Sequence, residues 1–462
     1  MGRDAMFSQS SSSARTVAIL TLGCKLNQAD SQALARELLA HGCQVIDRPA
    51  PADALIINAC SVTHVADRKS RHLVRLARRL APEATVVLTG CYEQNGSGHD
   101  LAQRLGADWL VANADKPGIA QRLLRHWQEQ GGLGPGRKAI EPSDGLRTRA
   151  FVKVQEGCNE VCAFCIVPRT RGRERSVPIG EVVAEVLARQ AAGVKEVVLT
   201  GTQVGNYGRD LGLCQGPREL LVALLTETTI PRLRLSSLQA QDISESLLRL
   251  WQNRRLCPHF HLPLQSGSDH ILAAMRRRYT VDQFRQAVAL IRRWLPDVAV
   301  TTDVIVGFPG EGDDDFQRTH DLCQELAFAA IHVFPYSRRP GTLAALAKEQ
   351  VPDAVKRQRL ERMLELARTS ADAFRARFRG RTLDVLWEEA RALLDGQPPL
   401  WRGLTDNYLR VYTSARDGSA SGRCPGFDLT NRLLPARLGQ PLGDGLWGEL
   451  EPADDASPVR VD

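Results

Sequence analysis

The sequence predicts an α/β protein in three parts: an N-terminal parallel α/β domain, a central series of six βα units that builds a parallel barrel or part of one, and a small C-terminal antiparallel β-barrel. Three observations carry this. Apolar strand-like runs alternate with helical patterns at βαβ spacing from Val17 to Phe334. Cysteines stand at the ends of several of those runs. Beyond residue 381 the helical patterns stop, and short strands separated by Gly, Pro and Asp take over.

A chain of 462 residues fits about three domains. The expected divisions are a polar tail at 1–14, a first domain at 15–135, a second at 145–380 ending in a connecting helix, and a third at 381–452. Hydrophobic content of 43% and charged content of 24% are those of globular protein. No apolar run reaches the roughly 18 residues of a spanning helix, so no membrane is expected. The Ser-rich start lacks the apolar stretch of a signal peptide and reads as a disordered tail. Eleven cysteines without such a signal point to the reducing cytoplasm and to metal or catalytic use over disulfides. A net charge of +7 permits an RNA partner without demanding one.

In the first domain the strand candidates are Val17–Leu20, Ala54–Ile57, Thr85–Leu88 and Trp109–Val111, with helices at Ser31–Ala40 and Asp67–Leu80. Three strands run into cysteine: Leu22-Gly23-Cys24, Asn58-Ala59-Cys60 and Thr89-Gly90-Cys91. Open parallel sheets bind ligands beyond the carboxyl ends of their strands, so the fold would gather these thiols. One such cysteine would read as a small buried hydrophobe; three at equivalent positions favour a site. Cys43 does not share the pattern and reads as structural. Residues 112–146 are polar, rich in Gly and Pro, and read as a linker with some helix.

The central strand candidates are Phe151–Val154, Glu196–Leu199, Leu233–Ser236, His259–Leu262, Val298–Val306 and Ile331–Phe334. Helical patterns at Glu181–Gln190, Leu220–Thr226, Val281–Trp294 and Asp315–Leu326 lie between them. The first strand leads into Cys158-Asn159-Glu160-Val161-Cys162-Ala163-Phe164-Cys165, a CxxxCxxC loop. Structural zinc sites take four closed ligands and iron–sulfur cubanes usually four cysteines, yet no Cys or His follows within forty residues. On a four-iron cluster three thiolates leave one iron open. The spacing alone also fits a zinc knuckle with a distant fourth ligand, or three buried thiols. The second strand runs into Thr200-Gly201-Thr202-Gln203-Val204-Gly205, where glycines allow a ligand to approach the backbone or simply make a βα turn. His259 and His261 alternate on a strand and read as satisfied structural groups, and Cys214, Cys257 and Cys323 have no partners at metal spacing. The charged stretch 348–380 reads as a solvated connecting helix, with phosphate contact by its Lys and Arg as the other reading. In the tail, Thr382–Trp387, Tyr408–Tyr412 and Leu446–Leu450 read as short strands.

The cluster loop with its flanks, Val152-Lys153-Val154-Gln155-Glu156-Gly157 and Ile166–Ser176 (IVPRTRGRERS), resembles that of the radical S-adenosylmethionine superfamily, and within it the methylthiotransferases. Thr21–Gln28 (TLGCKLNQ), Ile57–Thr63 (INACSVT) and Leu88–Cys91 (LTGC) are similar to that family's N-terminal motifs, with Ala59 in place of a Thr that is not a ligand. The tail resembles a TRAM domain by position. The resemblance implies an open (βα)6 barrel, and a [4Fe-4S] cluster on Cys158, Cys162 and Cys165 whose open iron chelates S-adenosylmethionine. It implies a second [4Fe-4S] cluster on Cys24, Cys60 and Cys91 that supplies or carries sulfur. Thr200, Gly201, Gln203, Ser236, Asp303 and Gly307 fall in motifs implied to touch cofactor or substrate.

The implied reaction turns an aromatic C–H into C–SCH3, one S-adenosylmethionine giving the methyl group and another the 5′-deoxyadenosyl radical; no acid/base pair is required, and none is evident. The pieces TLGCKLNQAD, CSVTHVADRKSR and GTQVGNYGRDLG look most like relatives acting on N6-threonylcarbamoyladenosine next to the anticodon (position 37) of tRNA. Partners implied are the tRNA anticodon arm, with Arg402, Arg410, Trp401 and Tyr408 offering phosphate contact and base stacking, and an electron donor such as flavodoxin or ferredoxin. Methylthiolation of N6-isopentenyladenosine, or a non-catalytic RNA-binding iron–sulfur protein, are the alternatives.

Overall fold

The computed structural model describes residues 14–92, 103–130, 148–391, 399–414 and 428–451. Residues 1–13 of the expected disordered start, residues 131–146 of the Gly- and Pro-rich linker and the chain end from 452 lie outside them. Two compact units form, one of Met1–Leu146 and Ile166–Gly172, the other of Arg147–Cys165 and Arg173–Asp462.

The first unit is built on a five-stranded sheet of β1 (Thr16–Thr21), β2 (Gln44–Ile46), β3 (Ala54–Ala59), β4 (Thr85–Gly90) and β5 (Trp109–Leu110), in the order β2-β1-β3-β4-β5 and parallel throughout. Strands β3 and β4 are buried along their whole length because both faces are covered. Ala18, Leu20, Leu55, Ile57, Val86 and Leu88 meet Val74 and Ala77 on one side. Val17, Ile19, Ile56 and Val87 meet Leu34, Leu38, Leu123 and Trp127 on the other. The helices supplying those residues are α1 (Lys25–Ala40), α2 (His64–Leu80) and α3 (Ile119–Glu129). The Ala66 N–H donates to Thr63 Oγ1 at 3.1 Å to cap α2, while Arg78 and Arg79 in its last turn complement the helix dipole. The three-residue β2 gave too short an apolar signal to read from sequence. A last short helix, α4 (Val167–Arg171), belongs to this unit although it follows the CxxxCxxC loop.

In the second unit six strands run parallel: β6 (Arg149–Lys153), β7 (Glu196–Thr200), β8 (Arg232–Leu235), β9 (His259–His261), β10 (Ala299–Val306) and β11 (Ala330–Pro335). They make two three-stranded sheets, and the parallel bridges Leu233↔Leu256 and Ser237↔His261 join β8 to β9. This is the open barrel the resemblance implied. Val300, Val304, Val306 and Leu262 pack outward on Phe284, Val288, Phe316 and Leu322 of the surrounding helices α7 (Val281–Trp294) and α8 (Asp313–Leu326). Helices α5 (Ile179–Ala191) and α6 (Gly216–Glu227) cover the earlier strands.

Helix α9 (Asp353–Ala376) differs from the solvated connector expected. Arg359 is buried and pairs with Glu311 at 2.6 Å and Asp313 at 2.7 Å, and Met363 and Phe374 of the same helix are also buried. The high charge that suggested a solvated face is partly spent on internal ion pairs. The tail is a closed barrel of β12 (Thr382–Arg391), β13 (Leu400–Thr405), β14 (Arg410–Ser414), β15 (Leu433–Leu442) and β16 (Gly445–Leu450), in the order β12-β13-β14-β16-β15.

The residues expected to meet RNA there are differently employed. Trp401 lies in the barrel core with Trp387. Tyr408 stacks on His259 at 4.6 Å between centroids, with the Arg234 guanidinium 4.8 Å from its ring. Arg402 pairs with Glu389 at 2.8 Å, and Arg410 pairs with Asp444. Aromatic and basic residues near short strands serve a barrel core and its rim as readily as an RNA surface.

Beneath Tyr408 the strands bury a charged group. Arg234 grips Glu196 through Nε at 2.8 Å and a second nitrogen at 3.1 Å, and both side chains are fully excluded from water. Arg149 and Arg232 approach Glu196 at 4.0 and 3.9 Å. Burial alone would push Glu196 up, but these three guanidiniums hold its carboxyl below the usual carboxylate range. The same arginines reach the C-terminal barrel: Arg232 donates to the carbonyls of Leu404 (3.0 Å) and Asp384 (2.7 Å), Arg234 to that of Asp406 (2.8 Å), and Arg149 to Glu388 (2.6 Å). Removing one partner of a buried pair strands the other charge. Arg234→Met is therefore expected to cost roughly 3–5 kcal/mol of stability. Truncation after residue 380 should be just as damaging, because it strips the acceptors from Arg232 and Arg234. Denaturant unfolding of the point variant and the solubility of the truncated chain check both expectations.

Candidate metal and cofactor sites

In the first unit the strand order 2-1-3-4-5 places a topological switch point between β1 and β3, where such sheets hold their ligands. Cys24 follows β1, Cys60 follows β3 and Cys91 follows β4, so the three thiols leave adjacent strands at one edge. Cys24 is the N-cap of α1 and is exposed; Cys60 and Cys91 are buried. Gly23 and Gly90 precede Cys24 and Cys91 with φ of +102° and +103°. A Cβ on Gly23 would come within 2.8 Å of Cys60 Cβ, and one on Gly90 would overlap the Ala59 carbonyl. Only glycine lets the chain turn here with the strand ends so close.

Two asparagines hold the edge together. Asn27 Nδ2 donates to the carbonyls of Leu22 (2.6 Å) and Ala59 (2.9 Å), and Asn58 Nδ2 to the carbonyl of Asn27 (2.8 Å) and Ser31 Oγ (2.9 Å). Ser70 Oγ accepts from Cys60 N at 3.2 Å and donates to Cys60 O at 2.9 Å. Burial, reinforced by Cys91 and Cys24, pushes the Cys60 thiol up to about 11, with Arg171 acting in the opposite sense. Buried thiols of this kind carry charge only where a cation or metal neutralises it. Three sulfurs and no carboxylate among the strand-end donors suit a soft iron–sulfur centre.

In the second unit the CxxxCxxC loop leaves β6 through Gly157, whose φ is +76°. The loop is pinned by backbone bonds from Ala163 N to Met275 O (3.0 Å) and from Ala344 N to Ala163 O (2.8 Å). Cys158 Sγ accepts from Glu160 N at 3.4 Å, and Cys162 Sγ from Arg277 at 3.4 Å. Burial pushes the Cys158 thiol up. Glu160, between the thiols, accepts from Gln203 (3.3 Å) and Gln239 (3.5 Å). Three sulfurs on one loop, two of them meeting N–H groups, fit an iron–sulfur cluster whose metal would supply the charge that burial of Cys158 disfavours.

The other expected contact residues stand at strand ends around this unit. Thr200 and Gly201 close β7, and Gly201 lies against Gln155, whose Oε1 accepts from Gln203 N at 3.0 Å. Ser236 follows β8 with its Oγ buried and without a hydrogen-bond partner, an orphan that a polar ligand would satisfy. Gly307, at φ +73°, is packed under Lys356, and its N–H donates to Glu311 at 2.8 Å.

Asp303 was expected singly, yet it is the centre of a group. His332 Nδ1 is 3.0 Å and His261 Nε2 3.2 Å from its two carboxylate oxygens. Burial would raise Asp303, but the hydrogen bonds from His261 and His332 hold it far below the usual carboxylate range. Asp303 alternates with the outward-packed Val304 and so points to the inner face of the strands. His261 is satisfied, as expected, but its partners sit on β10 and β11 and could not be named from local sequence. Asp30, Lys116 and Arg171 were also missed, because nothing in the chain marks them as neighbours.

A parallel strand unit with three thiols on a CxxxCxxC loop after its first strand defines a radical S-adenosylmethionine enzyme, and a Radical SAM superfamily model matches residues 152–323. A second model, described as Uncharacterized protein family UPF0004, matches residues 16–112. The chain is 36% identical over 407 residues to Threonylcarbamoyladenosine tRNA methylthiotransferase MtaB of Bacillus subtilis, covering 86% of this chain and 90% of that protein. It is 34% identical over 451 residues to tRNA-2-methylthio-N(6)-dimethylallyladenosine synthase of Syntrophomonas wolfei, covering 94% and 97%. The chain belongs to the radical S-adenosylmethionine methylthiotransferase family. That membership implies one [4Fe-4S] cluster and S-adenosylmethionine. Among solved structures, the radical S-adenosylmethionine methyltransferase TsrM of Kitasatospora setae matches with a TM-score of 0.51 at 15% identity, covering 72% of this chain and 77% of that one, a likeness of fold. No helix among the described residues is long and apolar enough to cross a membrane.

Gly90→Ala tests how the first thiol edge is built. Backbone would have to move to relieve the overlap with Ala59, so the loss should exceed the roughly 1–2 kcal/mol of left-handed strain alone. Gly212, at φ +76° with nothing within 4 Å of its would-be Cβ, is the control. Thermal unfolding should fall clearly further for Gly90→Ala than for Gly212→Ala.

Proposed function

We propose that this protein methylthiolates C2 of N6-threonylcarbamoyladenosine at position 37, next to the tRNA anticodon, giving 2-methylthio-N6-threonylcarbamoyladenosine. The observation that carries the reading is the pair of separate three-thiol groups, Cys24/Cys60/Cys91 and Cys158/Cys162/Cys165, each at the carboxyl ends of parallel strands. Each group holds one [4Fe-4S] cluster. When bound, the second-unit cluster with S-adenosylmethionine supplies the 5′-deoxyadenosyl radical, and the first-unit cluster supplies the sulfur.

The chain's own residues do the holding. Gly157, Gly23 and Gly90 turn the backbone so that thiols project beyond the strands. Arg277 and the Glu160 N–H donate to the sulfurs of Cys162 and Cys158 and orient them. Thr200, Gly201, Gln203, Ser236, Asp303 and Gly307 contact cofactor or substrate. Electrons come from a small carrier such as flavodoxin or ferredoxin, and the setting is the cytoplasm.

The choice of nucleoside rests on likeness to the Bacillus subtilis protein of that name and on the polar inner face formed by His261, Asp303 and His332. A threonylcarbamoyl group brings N–H, hydroxyl and carboxylate partners for such a face. An isopentenyl group brings hydrocarbon, which offers this polar face no partner of its own kind. The likeness to the Syntrophomonas wolfei enzyme keeps the isopentenyl nucleoside as the second reading.

Nucleoside mass spectrometry of tRNA from a strain lacking the gene should show the 2-methylthio-N6-threonylcarbamoyladenosine signal lost and its unmethylthiolated precursor accumulated. Loss of the isopentenyl derivative instead selects the second reading. Anaerobically reconstituted protein should hold about eight irons per chain, at four per cluster, and about four after alanine replaces either cysteine triplet. The Cys24/Cys60/Cys91 triple variant should still form 5′-deoxyadenosine from S-adenosylmethionine while making no methylthiolated product. His332→Leu should lower turnover of a threonylcarbamoyl-modified hairpin by about tenfold or more without lowering 5′-deoxyadenosine formation.

A further inference from the structure

The thiol edge of the first unit includes a side chain from outside the contiguous N-terminal sequence. Arg171 lies on α4, six residues past Cys165, and its side chain is 2% exposed. Its guanidinium is held on three sides. Nε donates to Cys91 Sγ at 3.2 Å, one terminal nitrogen donates to Asn27 Oδ1, and the other lies 3.5 Å from Asp30 Oδ2. Asp30 is itself fixed by Lys116 Nζ at 2.8 Å, both buried. Asn113 secures the segment by donating to the carbonyls of Gly90 (2.8 Å) and Thr170 (2.7 Å).

The fork is therefore oriented by Asn27 and Asp30 so that its remaining edge meets a sulfur. An arginine gives charge-assisted bonds to an anion with little loss of freedom once its fork is fixed. Hydrogen bonds to cluster sulfurs are one of the means by which a protein sets a cluster's potential.

We propose that Arg171 is a positioning residue for the iron–sulfur centre on Cys24, Cys60 and Cys91, donating through Nε to the Cys91 thiolate and favouring the reduced, more negative state of that centre. The inference rests on the two-cluster reading above. It adds that the segment following one cysteine triplet tunes the other. Removing a positive donor from a buried sulfur makes the extra electron less favourable, so the reduction potential should fall.

The test uses full-length chain carrying alanine at Cys158, Cys162 and Cys165, so that one cluster is observed. Iron content, the electron paramagnetic resonance of the dithionite-reduced protein and a redox titration are measured with Arg171 intact, with Arg171→Gln and with Arg171→Lys. The expected result is about four irons in all three. In Arg171→Gln the ratio of reduced to oxidised centre at fixed potential should drop about tenfold, which is about 59 mV for one electron, and Arg171→Lys should recover at least half of the shift. An unchanged potential in Arg171→Gln at full iron content overturns the proposal while leaving the two-cluster reading standing. Absence of iron in the parent with Arg171 intact overturns both. If Arg171→Gln fails to load iron, Arg171→Lys decides: loading with a potential near the parent's supports the proposal, and failure to load makes Arg171 a purely structural residue and overturns it.

Discussion

Parallel strands end together. That constraint lets residues 24, 60 and 91, separated by two whole helices, become neighbours along one sheet edge. It also sets the CxxxCxxC loop, Gln203, Ser236 and Gly307 at strand ends of the second unit. The chemistry of both units depends on backbone direction before it depends on any side chain. The glycines at 23 and 90 exist because a strand that must stop and turn sharply beside its neighbour leaves no room for a Cβ, and Gly157 because its left-handed turn disfavours one.

A second requirement is to keep the bottom of an open barrel closed. A six-stranded parallel sheet that does not meet itself has an interior to fill, and this chain fills its base with Glu196, Arg149, Arg232, Arg234 and Tyr408. Hydrophobic residues of like volume would serve stability as well or better. Charged groups add direction, because the arginines find their remaining acceptors on the carbonyls of Leu404, Asp384 and Asp406. The C-terminal barrel thus completes the hydrogen bonding of the strands, and Ala299 shares its core with Phe378 and Trp387.

The architecture was legible in the sequence where signals are local and repeated. Alternating apolar runs revealed all six parallel strands β6–β11 of the second unit, with ends off by a residue or two, and Leu-Gly-Cys and Thr-Gly-Cys marked strand exits without knowledge of which strands adjoin. Illegible were the groups assembled from distant segments. His332 is a plain strand residue until β11 is set beside β10. Lys116 looks like a solvated loop lysine until Asp30 is found 2.8 Å away. Arg359 looks like one of many helix arginines until Glu311 is brought under it. The tail misled for a different reason: Trp401 and Tyr408 have the composition of a stacking surface, and composition does not say which way a side chain points. The six thiols could be singled out from the CxxxCxxC spacing and from their places at strand ends, with resemblance to the methylthiotransferases implying their clusters; for an arginine no such sign helps.

Segment Ile166–Gly172 has a consequence for how the molecule can be made. The first unit is not contiguous, since its last piece is synthesised only after the second unit's first strand and cysteine loop have left the ribosome. A nascent chain that has reached residue 146 carries all three N-terminal cysteines but not Arg171, so the edge around Cys91 cannot close until translation has passed the loop. For the same reason the N-terminal unit cannot be exchanged between proteins as a simple cassette: any crossover between residues 130 and 160 would separate the sheet from the helix that completes it.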